Sequence, residues 1–128
     1  MLKTSISRTF KFDAAHKLPH YDGKCQNLHG HTWKLEVKVT GEVVEEGPKQ
    51  GMVVDFSDLK DLVNTIVLGS LDHHYLNDLL ENPTAENLAL EVALRLDEAF
   101  EAGGSTFELE RVRVYESEDS FAEVEFVS

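Results

Sequence analysis

The run from 29 to 44, HGHTWKLEVKVTGEVV, constrains the fold most. His29, His31, Trp33, Leu35, Val37 and Val39 are all odd-numbered, while Lys34, Glu36 and Lys38 alternate with them. A period of two is that of a half-buried β-strand, with one face on a core and one in water. Residues 4–16, TSISRTFKFDAAH, carry the same signal, with Ile6, Phe10, Phe12, Ala14 and His16 on one face. The segment between, KLPHYDGKCQNL, holds Pro19 and Asp22-Gly23 and reads as a loop. The two strands are therefore expected to pair as a hairpin.

After a turn at 45–51, Met52–Phe56 is a short apolar run. Ser57 is the expected N-cap of a first helix, on which Leu59, Leu62, Val63, Ile66 and Val67 recur at helical spacing. Gly69 is expected to end it, and residues 70–83 read as irregular. Thr84 is expected to cap a second helix, with Leu88, Val92, Leu96 and Phe100 on one stripe, and Gly103-Gly104 to stop it. Two strands follow. The parity changes between Leu109 and Val112, which predicts a bulge at Glu110-Arg111. The last strand, FAEVEFV, puts Ala122, Val124 and Phe126 on one face. The order ββααββ implies an α+β fold, an antiparallel sheet with two helices on one face. No boundary or repeat divides residues 1–128, so a single domain is expected.

The formal charge is −12, with 24 acidic and 12 basic residues. That balance argues against nucleic acid, which needs a basic footprint, and against anionic membranes. The acidity is uneven. Residues 1–34 hold six basic residues against two acidic, a net of +4, so the histidine-bearing segment can still face an anionic small molecule. Cys25 is the sole cysteine, which excludes an intrachain disulfide and fits a reducing compartment. The N-terminal MLKTSISRTFKF lacks an apolar leader core, and no stretch approaches a membrane span, so a cytoplasmic location is expected.

His29 and His31 project to the same side of their strand, and His16 ends the first strand on its apolar parity. If the strands pair, three imidazoles converge, the pattern of a catalytic zinc site with an open fourth position. Separate half-buried histidines are the alternative. Cys25, four residues before His29, reads as a fourth ligand, an idle thiol, or a nucleophile or base. In Asp72-His73-His74 a carboxylate can orient an imidazole, or Asp72 can simply cap Tyr75–Leu79. Glu116 shares the inward parity of Val112 and Val114 and needs a partner. The residues alone favour an ion pair with an arginine such as Arg113 of a neighbouring chain. A guanidine-like edge of a pterin or guanine fits equally in geometry.

Cys25-x-x-x-His29-Gly30-His31 resembles the C-x3-H-G-H motif of the 6-pyruvoyl- and 6-carboxytetrahydropterin synthases. FKFDAAHKLPH, GMVVDFSDLK, LDHHYLND, NPTAENLA and VRVYES resemble further segments of that family, in the same order along nearly the whole chain. The resemblance implies the tunnelling fold, in which sheets of several subunits join into a barrel and two trimers stack as a homohexamer. It implies that His16, His29 and His31 bind Zn2+, that Cys25 is the base, and that Asp72 and His73 form a second catalytic pair supplied by a neighbouring subunit. Glu116 would anchor the pterin, with Thr84 and Glu86 as further pocket candidates. His20 and His74 are left structural. The implied substrate is 7,8-dihydroneopterin triphosphate. The favoured product is 6-carboxy-5,6,7,8-tetrahydropterin, on the route to queuosine; 6-pyruvoyltetrahydropterin is the alternative, and a non-catalytic pterin-binding protein a third.

Overall fold

The computed structural model describes residues 2–23 and 26–127. Strand β1 (Ser5–His16) pairs antiparallel with β2 (His29–Gly41), from Ser5 opposite Thr40 to His16 opposite His29. β2 ends at Gly41 rather than at 44, at the last residue of its ladder, which pairs with Phe107. A Cβ at Gly41 would lie 3.2 Å from the Thr106 carbonyl oxygen. Strands β4 (Phe107–Ser117) and β5 (Ser120–Glu125) complete the antiparallel part. The bulge falls as expected: Lys38 faces Arg111 and Val39 faces Leu109, leaving Glu110 as the extra residue. Phe126 lies beyond β5 and is exposed, unlike Ala122 and Val124, which pack on the core.

The first helix starts earlier than expected. Asp55, not Ser57, is the N-cap, and its carboxylate accepts the Ser57 N–H at 2.7 Å. Helix α1 (Phe56–Val63) then widens into a π-helical stretch, Asn64–Leu68, and runs one more turn to Leu71. Gly69 is thus inside the helical run, and its N–H reaches back five residues to the Asn64 carbonyl. The wider turn accompanies the burial of Val67, Leu68 and Leu71. Helix α2 (Ala85–Ala102) is capped by Thr84, whose hydroxyl accepts the Asn87 N–H at 3.1 Å. Gly104, at φ +67°, closes it together with a Ser105-to-Phe100 backbone bond.

The segment read as irregular contains a short strand, β3 (His74–Tyr75), that pairs parallel with Ala14 and Ala15 of β1. The sheet order is β3-β1-β2-β4-β5, antiparallel except for that bridge. Even-numbered residues of β1 and odd-numbered residues of β2 meet the helices in one core, with Trp33, Leu35, Leu59, Leu88 and Leu96 fully buried. Replacing one of those leucines by alanine would cost about 2–5 kcal/mol. Among the described residues no helix is long and apolar enough to cross a membrane.

Candidate metal centre and acid–base pair

Register builds the first cluster. Because His16 lies opposite His29, and Ala14 opposite His31, the three imidazoles meet at one end of the β1–β2 ladder. Their ring centroids are 4.5 Å (His16–His29), 4.7 Å (His29–His31) and 5.2 Å (His16–His31) apart. Trp33 forms the floor, packed edge-on against His16 and His31, with its indole N–H on the Ala14 carbonyl at 3.3 Å.

Two of the rings have a determined polarity. His16 Nδ1 lies 2.8 Å from the Pro83 carbonyl oxygen, and His29 Nδ1 2.7 Å from that of Asn27. A carbonyl only accepts, so each Nδ1 carries the proton and each neutral ring presents a bare Nε2. The Nε2 atoms of His16, His29 and His31 are all buried and lack a hydrogen-bond partner. Orphaned buried nitrogens are costly unless something fills the space between them. Burial also pushes the His31 imidazole below its ordinary pKa, with His16 and His29 acting in the same direction against the pull of Glu116. Neutral imidazole is the form that ligates metal. Residues His16, His29, His31 and Glu116 can together hold a cation, and the donor set suits a divalent ion.

Glu116 is where parity put it, but its partner is different. Its carboxylate lies 3.1 Å from His31 Nε2 and 3.7 Å from His16 Nε2. Arg113 is engaged elsewhere, donating to Glu123 at 2.6 Å. Within one chain Glu116 therefore meets the histidines and, among the described residues, no arginine. Glu116 also lines a cleft of about 460 Å3, together with Glu86, Leu90 and Phe121. Glu86 thus shares a cleft with Glu116, whereas Thr84 is accounted for by its cap.

Asp72 and His73 are brought together, but on the other side of the sheet. Asp72 does not cap Tyr75–Leu79. Its carboxylate accepts the Asp13 N–H at 3.0 Å and lies 3.1 Å from His73 Nδ1. The Asp13 N–H holds the Asp72 carboxyl below its usual range, and His73 adds to this. Asp13 and Thr32 face away from the histidine cluster, and the Thr32 hydroxyl donates to the Asp13 carboxylate at 2.6 Å. His73 has φ +60°, a left-handed conformation unusual for a residue with a Cβ, and its N–H bonds to the Asp13 carbonyl at 2.6 Å. Its side chain is 78% exposed, open to solvent or to a partner surface. Asp13, Thr32 and Trp33 carry no site signal in the sequence; only strand pairing brings them to the two clusters. Cys25 lies outside the described residues. His20 faces Glu81 at 3.6 Å, and His74 Nδ1 meets the Asp72 carbonyl at 2.7 Å.

These features match a known class. Residues 5–126 fit the family described as 6-pyruvoyl tetrahydropterin synthase, and the chain belongs to that family. Among individual relatives, it is 52% identical over 73 residues to the 6-carboxy-5,6,7,8-tetrahydropterin synthase of Haemophilus influenzae, covering 57% of this chain and 52% of that protein. It is 43% identical to a putative 6-carboxy-5,6,7,8-tetrahydropterin synthase of Archaeoglobus fulgidus over 93% of both chains. It is 42% identical to a dihydroneopterin monophosphate aldolase of Pyrococcus furiosus over 74% of this chain and 76% of that one. The solved structure of Caenorhabditis elegans 6-pyruvoyl tetrahydropterin synthase superimposes with a TM-score of 0.80 at 27% identity, covering 99% of this chain and 98% of the other. The fold is therefore the tunnelling fold of these synthases.

Proposed function

We propose that this chain, as one domain over residues 1–128, is a zinc-dependent 6-carboxy-5,6,7,8-tetrahydropterin synthase. It converts 7,8-dihydroneopterin triphosphate and one water to 6-carboxytetrahydropterin, acetaldehyde and triphosphate, in the cytoplasm and on the route to queuosine. The observation that carries the reading is the set of three buried, unpartnered Nε2 atoms beside Glu116. The names of the relatives support the carboxy product.

His16, His29 and His31 would hold the ion. Bound zinc supplies Lewis acidity, polarising side-chain oxygens so that carbon-bound hydrogens become acidic. Glu116 accepts the 2-amino and N3–H edge of the pterin, placing the ring in the cleft that Glu86 also lines. The Cys25 thiolate takes a proton from the side chain. His73 is the acid–base partner, oriented by Asp72. Since the Asp72 and His73 side chains lie on the opposite sheet face from His16, a neighbouring copy would supply them to a given metal centre, as expected of a homohexamer.

The test is incubation of metal-loaded protein with dihydroneopterin triphosphate and mass identification of products. Acetaldehyde with 6-carboxytetrahydropterin is expected. A 6-pyruvoyl product supports the second reading, favoured by the C. elegans neighbour. Simple side-chain cleavage would place the chain with the aldolase relative, against which Cys25 argues. Unconsumed substrate would leave a pterin-binding protein.

A further inference from the structure

The metal centre and the acid–base pair lie on opposite faces of the sheet, yet one chain segment borders both. Residues 13–17 run beside residues 72–77, joined at both ends and in the middle. At one end the Asp13 N–H donates to the Asp72 carboxylate, and the His73 N–H to the Asp13 carbonyl. In the middle, Ala14 and Ala15 pair with His74 and Tyr75. At the far end a side chain takes over. Asn77 Nδ2 donates to the Lys17 carbonyl oxygen at 2.9 Å, and Asn77 Oδ1 accepts the Lys17 N–H at 2.9 Å. An amide that both donates to and accepts from one residue copies the double bond of a strand pair.

This position matters because Lys17 follows His16 directly. His16 is held from the same side by the Pro83 carbonyl, so two groups of the 77–83 stretch bracket the ligand. Leu76, fully buried, anchors the segment in the core just before Asn77. A two-residue strand is too short to set register alone. Asp72 and Asn77, five positions apart, therefore clamp its two ends.

We propose that Asn77 is a positioning residue serving both half-sites. By locking Lys17 it holds His16 toward the other two imidazoles, and by locking the end of β3 it holds His73 in its left-handed turn. This rests on the reading of His16 as a metal ligand and of His73 as the acid–base group. No side chain of Asn77 reaches substrate in this role.

The experiment uses the full chain and the variants Asn77→Ala and Asp78→Ala, the latter a neighbouring exposed position as control. Zinc affinity is measured by chelator competition, and amide exchange is followed in the metal-free protein. Asn77→Ala is expected to weaken zinc at least tenfold, within the 10- to 100-fold range for supports of ligand residues. It is expected to speed exchange of the Lys17 and His73 amides together while leaving the β4 amides unchanged. In loaded enzyme it should lower kcat more than it raises KM. Asp78→Ala should change none of these. Wild-type zinc affinity in Asn77→Ala, or exchange altered at Lys17 but not at His73, overturns the proposal. If wild-type protein itself binds no zinc, the metal reading fails, and the paired exchange of Lys17 and His73 still decides whether Asn77 is the clamp.

Discussion

The two faces of the β1–β2 end carry different kinds of polar chemistry. On the helix side, His16 and His31 pack on Trp33, His16 and His29 hold their Nδ1 on carbonyls, and all three Nε2 atoms are buried without a hydrogen bond beside Glu116. On the far side, Asp13, Thr32, Asp72 and His73 are more exposed, and Asp13, Thr32 and Asp72 bond to one another or to backbone. Buried nitrogens without hydrogen-bond partners describe a place that could hold an ion. A solvated imidazole beside a carboxylate held in its charged form is the arrangement expected of the proposed acid–base pair. The same ladder produces both, because neighbouring residues of a strand point to opposite faces.

The largest expected effect breaks the first face alone. His29→Ala should reduce bound metal from about one per chain to near none, read by elemental analysis, with Asp72 and His73 undisturbed. Next, Asp72→Asn and Cys25→Ala should keep the metal while turnover falls by about 10²- to 10⁴-fold, the usual weight of a general acid or base. Loss of metal from Cys25→Ala would make the thiol a ligand and dissolve the division of labour. Smaller still, Thr84→Ala should cost about 1 kcal/mol in denaturant unfolding through its lost cap, with metal content unchanged. A large rise in KM from that variant would instead give Thr84 a place in the pocket.

The smallest effect is a pH slope. The folded Asp72 carboxyl is depressed below its unfolded value, so its stabilising contribution is present above about pH 4 and is lost as pH falls through the folded value. Asp72→Asn should remove that contribution at neutral pH, so that the variant's stability lies below wild type above about pH 4 and the two curves converge as pH falls, with a flatter acid limb in the variant. An unchanged acid slope would show that the bond from the Asp13 N–H carries no charge preference.

Much of the fold was legible because its signals are local. Alternation located β1 to within a residue and the start of β2, though it ran three residues past the end of β2; Thr84 announced the second helix, and the parity change marked the bulge. The errors have physical causes. The Ser57 cap failed because Asp55 offered a carboxylate to the same turn two residues earlier. Gly69 did not stop the helix, since burial of Leu68 and Leu71 favours continuing through a π turn. The short β3 was invisible because two residues carry no period, and its partner lies some sixty positions away.

For the site, the sequence by itself determined which residues share a face. His29 and His31 must be neighbours, His16 must join them if β1 and β2 pair, and Glu116 must point inward; each follows from the two-residue period of a strand. Tertiary structure alone decided what those side chains meet. It brought Glu116 to the histidines instead of to an arginine, and it carried Asp72 and His73 to the opposite face. It also assigned Asn77 to the end of β1. Those outcomes depend on where a loop returns to the sheet. That return is set by a left-handed residue, a buried Leu76 and bonds between distant segments, none of which leaves a repeat in the chain.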